Sequence, residues 1–218
     1  MNYELTKRIL TSLVLLPILI FCTYYSKFYF IIFLIVIYLL SFYEIIKNTK
    51  DLIFNLFSNI ILILALFSFY YLRGETNNSL MTIYWILSVT FLSDIGGLTF
   101  GKFFKGKKLT KISPNKTYSG SIGSILFSVT SLPLLSVFQI FFFNVSLLNF
   151  YQLKYLILSI CISIVCQAGD LYVSFWKRKI KIKNFSNILP GHGGVIDRID
   201  GLIFVLIFSY IIKKIGFI

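Results

Sequence analysis

Only eight carboxylates occur in 218 residues: Glu4, Glu44, Asp51, Glu75, Asp94, Asp170, Asp197 and Asp200. The last four each stand at the edge of an apolar run, beside a segment rich in lysine. A carboxylate next to hydrocarbon is costly unless it pairs with a cation or binds one, so such residues are functional by default. Asp197 and Asp200 are spaced i, i+3, which sets both on one face where a helix begins. Asp170, Ser174 and Lys177 with Arg178 follow at i, i+4 and i+7/i+8, placing acid, hydroxyl and cation on one helical stripe. Hard oxygen ligands of this kind suit Mg²⁺, which takes one or two carboxylates and leaves positions for substrate phosphates. The plainer reading is that the acids only neutralise neighbouring Lys and Arg.

Between the two acid sites runs Pro190-Gly191-His192-Gly193-Gly194, leading into Val195-Ile196-Asp197-Arg198-Ile199-Asp200. Three glycines ahead of a helix start let backbone N–H groups approach an anion, and the helix dipole favours negative charge there. Glycine alone would only signal a tight turn; glycines with Arg198 and two acids describe a metal–phosphate site. His192 is the sole histidine, and both a turn role and a direct phosphate contact are open for it. Cys22, Cys161 and Cys166 lie inside apolar runs and read as inert thiols, with neither a disulfide framework nor a zinc site.

These residues need elements to hold them, and the composition says which. The chain is 57% hydrophobic and 13% charged, with a mean hydropathy of +0.86. Soluble domains carry about 25% charged residues, so an ordinary water-soluble globule is excluded. Apolar runs are long enough for helices to cross ~30 Å of hydrocarbon. Seven candidate spans fall near 9–25, 28–46, 52–72, 79–99, 119–143, 151–176 and 200–216. The fold expected is an all-α, polytopic transmembrane bundle forming a single integral membrane domain over 1–218. Within it, 1–75 would be N-terminal membrane helices and 79–218 the catalytic region. Lys7 and Arg8 precede the first run with no cleavage site after it, so that run reads as a retained helix.

The net charge of +13 does not indicate nucleic-acid binding, because the basic residues sit between apolar blocks. Such loops answer first to topology and anionic lipid. With the N-terminus inside, sixteen of the 21 Lys and Arg fall on the cytoplasmic side. The long basic segments 101–118 and 177–199 then both face the cytoplasm. Lys213 and Lys214, at the outer end of the last span, run against this count.

The segment Ser174-Phe175-Trp176-Lys177-Arg178, then Lys183, then Pro190 through Asp200 closely resembles the signature of phosphatidate cytidylyltransferases, the CDP-diacylglycerol synthases. That signature reads S-x-x-K-R-x4-K-D, then P-G-H-G-G-hydrophobic-x-D-R-hydrophobic-D. Ile112-Ser113-Pro114-Asn115-Lys116-Thr117-Tyr118-Ser119-Gly120 is similar to the family's I-S-P-K-K-T-W-E-G. Asp94 with Gly101-Lys102, Gly169-Asp170-Leu171, and Lys7-Arg8-Ile9 with Pro17 also match family segments. The resemblance is densest over 94–123 and 169–202. Four positions depart from it: Asn184 replaces Asp, Asn115 Lys, Tyr118 Trp and Ser119 Glu. No metal role is carried onto Asn184.

The resemblance implies a reaction in which CTP and phosphatidate give CDP-diacylglycerol and pyrophosphate. It implies Mg²⁺, with a monovalent cation as a further candidate, and a homodimer in a bacterial-type inner membrane with its site facing the cytoplasm. Asp170 and Asp197 are the expected principal metal ligands, supported by Asp200 and Asp94. Lys177, Arg178, Arg198, Lys116 and Lys183 would hold phosphates, with Ser174, Ser113, His192, Gly193 and Gly194 completing the substrate contacts. An anionic phosphate nucleophile needs no strong base, in keeping with the lack of any Cys–His or Ser–His pair. Two rival readings remain. An ion-coupled transporter would want acids at the bilayer midplane and discontinuous helices. A CDP-alcohol phosphotransferase would carry D-G-x2-A-R-x8-G-x3-D-x3-D, which is not found. A non-catalytic homologue is the third possibility.

Overall fold

Where no water reaches the backbone, every N–H and C=O must be satisfied within the chain, and apolar runs of this length can do so only as helices. The computed structural model describes residues 3–110, 113, 116–143, 148–191 and 193–218, without the side chains of 3–10, 12 and 143. It consists of eight helices: α1 (Tyr3–Tyr25), α2 (Lys27–Asn48), α3 (Leu52–Arg73), α4 (Asn77–Phe104), α5 (Tyr118–Val129), α6 (Ser131–Phe143), α7 (Leu153–Lys179) and α8 (Ile196–Lys214). Five stretches are long and apolar enough to cross a membrane: α2, α3, α4, α5 with α6 taken together, and α7. The protein is a multi-pass helical membrane protein.

Short polar residues set several helix starts by accepting the first free N–H groups. Ser26 caps α2, Asp51 caps α3 through Ile53 and Phe54, Thr76 caps α4 and Thr117 caps α5. The helices depart from the expected spans at several points, among them the start of α1 at Tyr3 instead of residue 9. The run 119–143 breaks at Thr130, and Pro133 falls in the first turn of α6, where its missing N–H breaks no helical bond. α4 and α7 run on to Phe104 and Lys179, so Asp94 and Asp170 lie inside helices rather than at their ends. α8 begins at Ile196, four residues earlier than expected, which puts Asp197 within its first turn.

α4 is the central helix, packing against α3, α5, α6, α7 and α8. Its Trp85 is fully buried, edge-on to Tyr155, with its Nε1 donating to Ser159 Oγ at 3.2 Å. Ser93 on α4 and Ser163 on α7 share a hydrogen bond of 2.8 Å. Small residues allow the closest contacts. A Cβ on Gly96 would stand 2.4 Å from Gly123 O across α4 and α5, and one on Gly201 would stand 2.6 Å from Cys166 Sγ across α8 and α7. Large apolar side chains of α1, α2 and α3 point outward, as lipid-facing surfaces do.

The two ends of the bundle are tied separately. At one end Lys27 pairs with Glu75, Arg73 donates to Thr23 O at 3.0 Å, and Lys213 donates to Leu72 O at 3.4 Å. Lys214 lies 4.6 Å from the Tyr71 ring centroid, a cation among aromatics as at a membrane interface. The basic segments and the acid sites gather at the opposite end.

Candidate active site

Four elements converge there: the middle of α4, the C-terminal half of α7, the start of α8, and the turn before α5. The close approach of Gly169 and Gly201 brings α7 onto α8. A Cβ on Gly201 would stand 2.7 Å from Asp170 Oδ1, so glycine is what lets Asp170 look across to α8. Asp200 lies near Asp170 there, close enough for the two charges to act on each other. Among the described residues, Asp94, Cys166 and Asp170 each bring one ligand atom within 4.8 Å of the others. Asp94 is exposed as a residue despite its place inside α4, while its carboxyl lies against the buried Cys166 and near Asp170.

The cations pair across elements. Lys116 reaches from the loop to Asp170 Oδ2 at 3.2 Å. That loop folds back on itself, with Leu109 N–H donating to Lys116 O at 2.8 Å and Tyr118 N–H to Lys107 O at 3.1 Å. Ser113 sits in the same turn, its carbonyl accepting from Lys116 N–H at 3.1 Å. Lys177, which shares a stripe with Asp170 and half-buried Ser174, turns instead to α8. Its Nζ is 2.9 Å from Asp197 Oδ1 and 3.7 Å from Asp200 Oδ2, so one lysine spans the i, i+3 pair. Arg198 is exposed and close enough to act electrostatically on Asp94. Arg178 and Lys183 are exposed, and Arg178 donates to Ile182 O at 3.3 Å.

Asp197 has a fuller shell than the other acids. Its Oδ2 accepts from Phe185 N–H at 2.9 Å and Gly194 N–H at 3.0 Å, while Lys177 holds Oδ1. Three of this carboxylate's roughly four acceptor sites are thus taken, which leaves one on Oδ1 for a metal. The glycine turn is tied by paired bonds between Leu189 and Gly193, 2.9 and 3.1 Å. Gly193 has φ +88°, and a Cβ there would stand 3.1 Å from Asp197 Oδ2. His192, Ile112, Pro114 and Asn115 lie outside the described residues.

One residue that the motifs did not flag completes the site. Glu44, near the end of α2, is fully buried. Its Oε1 accepts from Ser186 Oγ at 2.6 Å and Val195 N–H at 2.8 Å, and its Oε2 from Ile196 N–H at 3.0 Å. The N–H groups of residues 194, 195 and 196, read from sequence as an anion cradle, are thus engaged by the protein's own carboxylates. A signal for Glu44 was available: it is the one acid within the second predicted span.

The donor set fits a divalent metal of the hard, oxygen-loving kind. Asp94, Asp170 and Asp200 offer carboxylate oxygens, and the Cys166 thiol donates to Asp94 Oδ1 at 3.8 Å as a neighbour. Among the described residues the four aspartates outnumber the two lysines that pair with them and the Arg198 that acts on Asp94, so negative charge is left for a cation to balance.

Comparison with known proteins shows the family to which the chain belongs. The model of the "Cytidylyltransferase family" matches residues 47–215. The chain is 34% identical over 217 residues to the phosphatidate cytidylyltransferase of Rickettsia conorii, covering 94% of this chain and 90% of that protein. It is 35% identical over 205 residues to the Rickettsia felis protein of the same name, covering 90% and 86%. With the Bacillus subtilis phosphatidate cytidylyltransferase it shares 34% over 179 residues, covering 80% and 64%. The matched segment takes in α3 through α8, which carry every acid and lysine of the cluster, and on that ground the chain belongs to the cytidylyltransferase family.

Proposed function

We propose that the protein transfers CMP from CTP to phosphatidate, giving CDP-diacylglycerol and pyrophosphate, at the cytoplasmic face of a bacterial inner membrane. The observation that carries this reading is the cluster of Asp94, Asp170 and Asp200, flanked by Lys116 and Lys177 and set at one end of a membrane bundle. An acyl-chain substrate resides in the bilayer and a nucleotide arrives from water; a charged site at the end of the bundle serves both. The relatives' names supply the substrates, and the matched signature residues supply the phosphate-binding side chains.

In the reaction a phosphatidate oxygen forms a bond to the α-phosphorus of CTP, and the bond from that phosphorus to the β-phosphate bridging oxygen breaks. Pyrophosphate leaves carrying the electron pair. Transfer of this kind depends on positioning and on neutralising charge at the transferring group. Lys116 comes from a turn and can move its ammonium from Asp170 towards a phosphate. Lys177 is fixed by Asp197 and Asp200, so it presents a positioned cation at the α7–α8 junction. Arg198, exposed on the first turn of α8, supplies a planar fork suited to bidentate phosphate contact. Ser174 lies between Asp170 and Lys177 on the same stripe and orients whichever phosphate they hold.

Enzymes of this family use a divalent metal. Here we assign Mg²⁺ to Asp170 with Asp94 and Asp200, and Asp197 would join them through the acceptor site left on Oδ1. The metal's chemistry when bound is to neutralise phosphate charge.

The test is pyrophosphate release by the purified protein in phosphatidate-containing vesicles, with CTP supplied and with either substrate left out. Release that needs both substrates and stops on chelation is the expected result. Failure to release pyrophosphate with both substrates and Mg²⁺ present would overturn the reading.

A further inference from the structure

α8 carries Asp197, Arg198 and Asp200, yet it has no cap of its own: Val195 at its N-cap position makes no side-chain capping bond. An uncapped helix start leaves N–H groups that must be satisfied when buried. Glu44 satisfies them from 151 residues away, its two oxygens taking the N–H groups of Val195 and Ile196. The fit is close. A Cβ on Gly194 would stand 2.7 Å from both Glu44 oxygens, so the chain passes the carboxylate only because residue 194 has no side chain. One turn further along α2, Asn48 Nδ2 donates to Phe185 O at 2.6 Å. Phe185 N–H in turn holds Asp197 Oδ2. The end of α2 therefore grips both the loop before α8 and the first turn of α8 itself.

We infer that Glu44 is a positioning residue for the transfer reaction, a cap supplied in trans by α2 that fixes the start of α8 and with it Asp197, Arg198 and Asp200. The burial argues for a demand on this spot. A fully buried carboxylate persists only when hydrogen-bonded, and here its partners are a hydroxyl and two N–H groups at the positive end of a helix. No lysine or arginine is among the bonds that hold it. The charge serves the helix start, and Glu44 precedes the segment matched by the family model, which begins at residue 47. The inference rests on the reading of the site given above.

The test uses the full-length protein in phosphatidate vesicles, with Glu44→Gln, Glu44→Asp and Ser186→Ala. Glutamine keeps the shape but turns an NH₂ towards an N–H donor. Loss of an outer partner of this kind costs about 10- to 100-fold in activity or metal affinity. We expect kcat of Glu44→Gln to fall in that range, KM for CTP to change less than about threefold, and the Mg²⁺ midpoint to rise. Glu44→Asp, which keeps the charge, should recover part of kcat. Independently of any reaction, amide hydrogen exchange at Val195 and Ile196 should quicken about tenfold, as for one lost charge-assisted hydrogen bond. Ser186→Ala keeps the acid and removes one donor, and should shift kcat and exchange in the same direction by a smaller factor. Faster exchange with unchanged kcat and Mg²⁺ midpoint would reduce Glu44 to a structural cap and overturn the inference. Unchanged exchange in both Glu44→Gln and Ser186→Ala would overturn it as well. If the wild type releases no pyrophosphate, the proposed reaction fails while the exchange arm still reads the cap.

Discussion

Replacing Lys177 by methionine removes a cation from between two acids while keeping most of the side chain's bulk. The magnitude follows from the geometry. Nζ lies 2.9 Å from Asp197 Oδ1 and 3.7 Å from Asp200 Oδ2, and the Lys177 and Asp197 side chains are 12% and 4% exposed. At an effective dielectric of about 20, each contact is a gross attraction of about 5 kcal/mol. Most of that offsets desolvation, and breaking one partner out of a buried pair costs about 3–5 kcal/mol net. The Lys177→Met protein should therefore unfold about 3 kcal/mol more easily in a denaturant titration in detergent. Asp197→Asn removes the matching charge, and its amide oxygen can still accept from Phe185 or Gly194. The double variant should recover about 2 kcal/mol relative to the sum of the single losses, as contacting residues do. Activity should behave differently. A lost phosphate clamp costs at least about 100-fold in turnover, and restoring charge balance returns none of it, so Lys177→Met and the double variant should be equally inactive. Additive stability losses would show that Lys177 and Asp197 do not depend on each other. Wild-type turnover in Lys177→Met would remove the lysine from the site.

Asn184 packs beside Gly193, close to Asp197, so an aspartate there would meet a like charge. Asn184→Asp should raise turnover at most several-fold, and a large gain confined to low Mg²⁺ would show that the metal is held elsewhere. Cysteine placed at exposed Lys107, with Cys22, Cys161 and Cys166 replaced, should be labelled only by reagents that enter the cell. Labelling from outside intact cells would invert the topology and strand CTP on the wrong side. Lys27 donates a hydrogen bond to Glu75 and so holds its carboxyl below the usual range. The stability this gives is present at neutral pH and is lost as pH falls below about 4. Because Glu75 is solvent-exposed the effect is small, and Glu75→Gln should show a shallower acid-side fall in unfolding midpoint than the wild type; an identical profile would remove the pair from the stability account.

What could be read from the sequence was what depends on local spacing and on the solvent. Hydrocarbon makes any carboxylate expensive, and that alone singled out Asp94, Asp170, Asp197 and Asp200. Helical spacing placed Asp197 and Asp200 on one face, and Lys177 does touch both. Partners across elements were not legible. The stripe on α7 suggested Asp170 with Lys177, whereas Asp170 pairs with Lys116 and Lys177 with α8, because packing and not sequence spacing decides which helix face meets which. The glycine turn showed that N–H groups would be offered to an anion, but not that Glu44 and Asp197 would take them. Glu44 was overlooked through its isolation. It stands in a span with no motif around it, and the rule that flagged the four aspartates applied to it equally.

The charge balance of the site ties these observations to the proposed chemistry. Four aspartates share one end of the bundle; among the described residues two lysines pair with them, and Arg198 acts on Asp94. A structural network would be expected to balance its own charge, since unpaired carboxylates beside hydrocarbon are costly. The excess here sits on the α4–α7–α8 side, at Asp94, Asp170 and Asp200, while Asp197 already accepts from Lys177 and two N–H groups. In the proposed reaction a divalent cation would sit on that side, held by Asp94, Asp170 and Asp200, and if Asp170 turned to it, Lys116 would lose its partner. That lysine hangs on a turn, not in a helix, so its ammonium is free to follow the negative charge arriving with the nucleotide. Lys177 has no such freedom, being held by two acids on a helix whose start is itself pinned by Glu44. One cation that moves and one that stays match what phosphoryl-type transfer asks of a site: a group to meet the incoming phosphates, and another already aimed where charge develops.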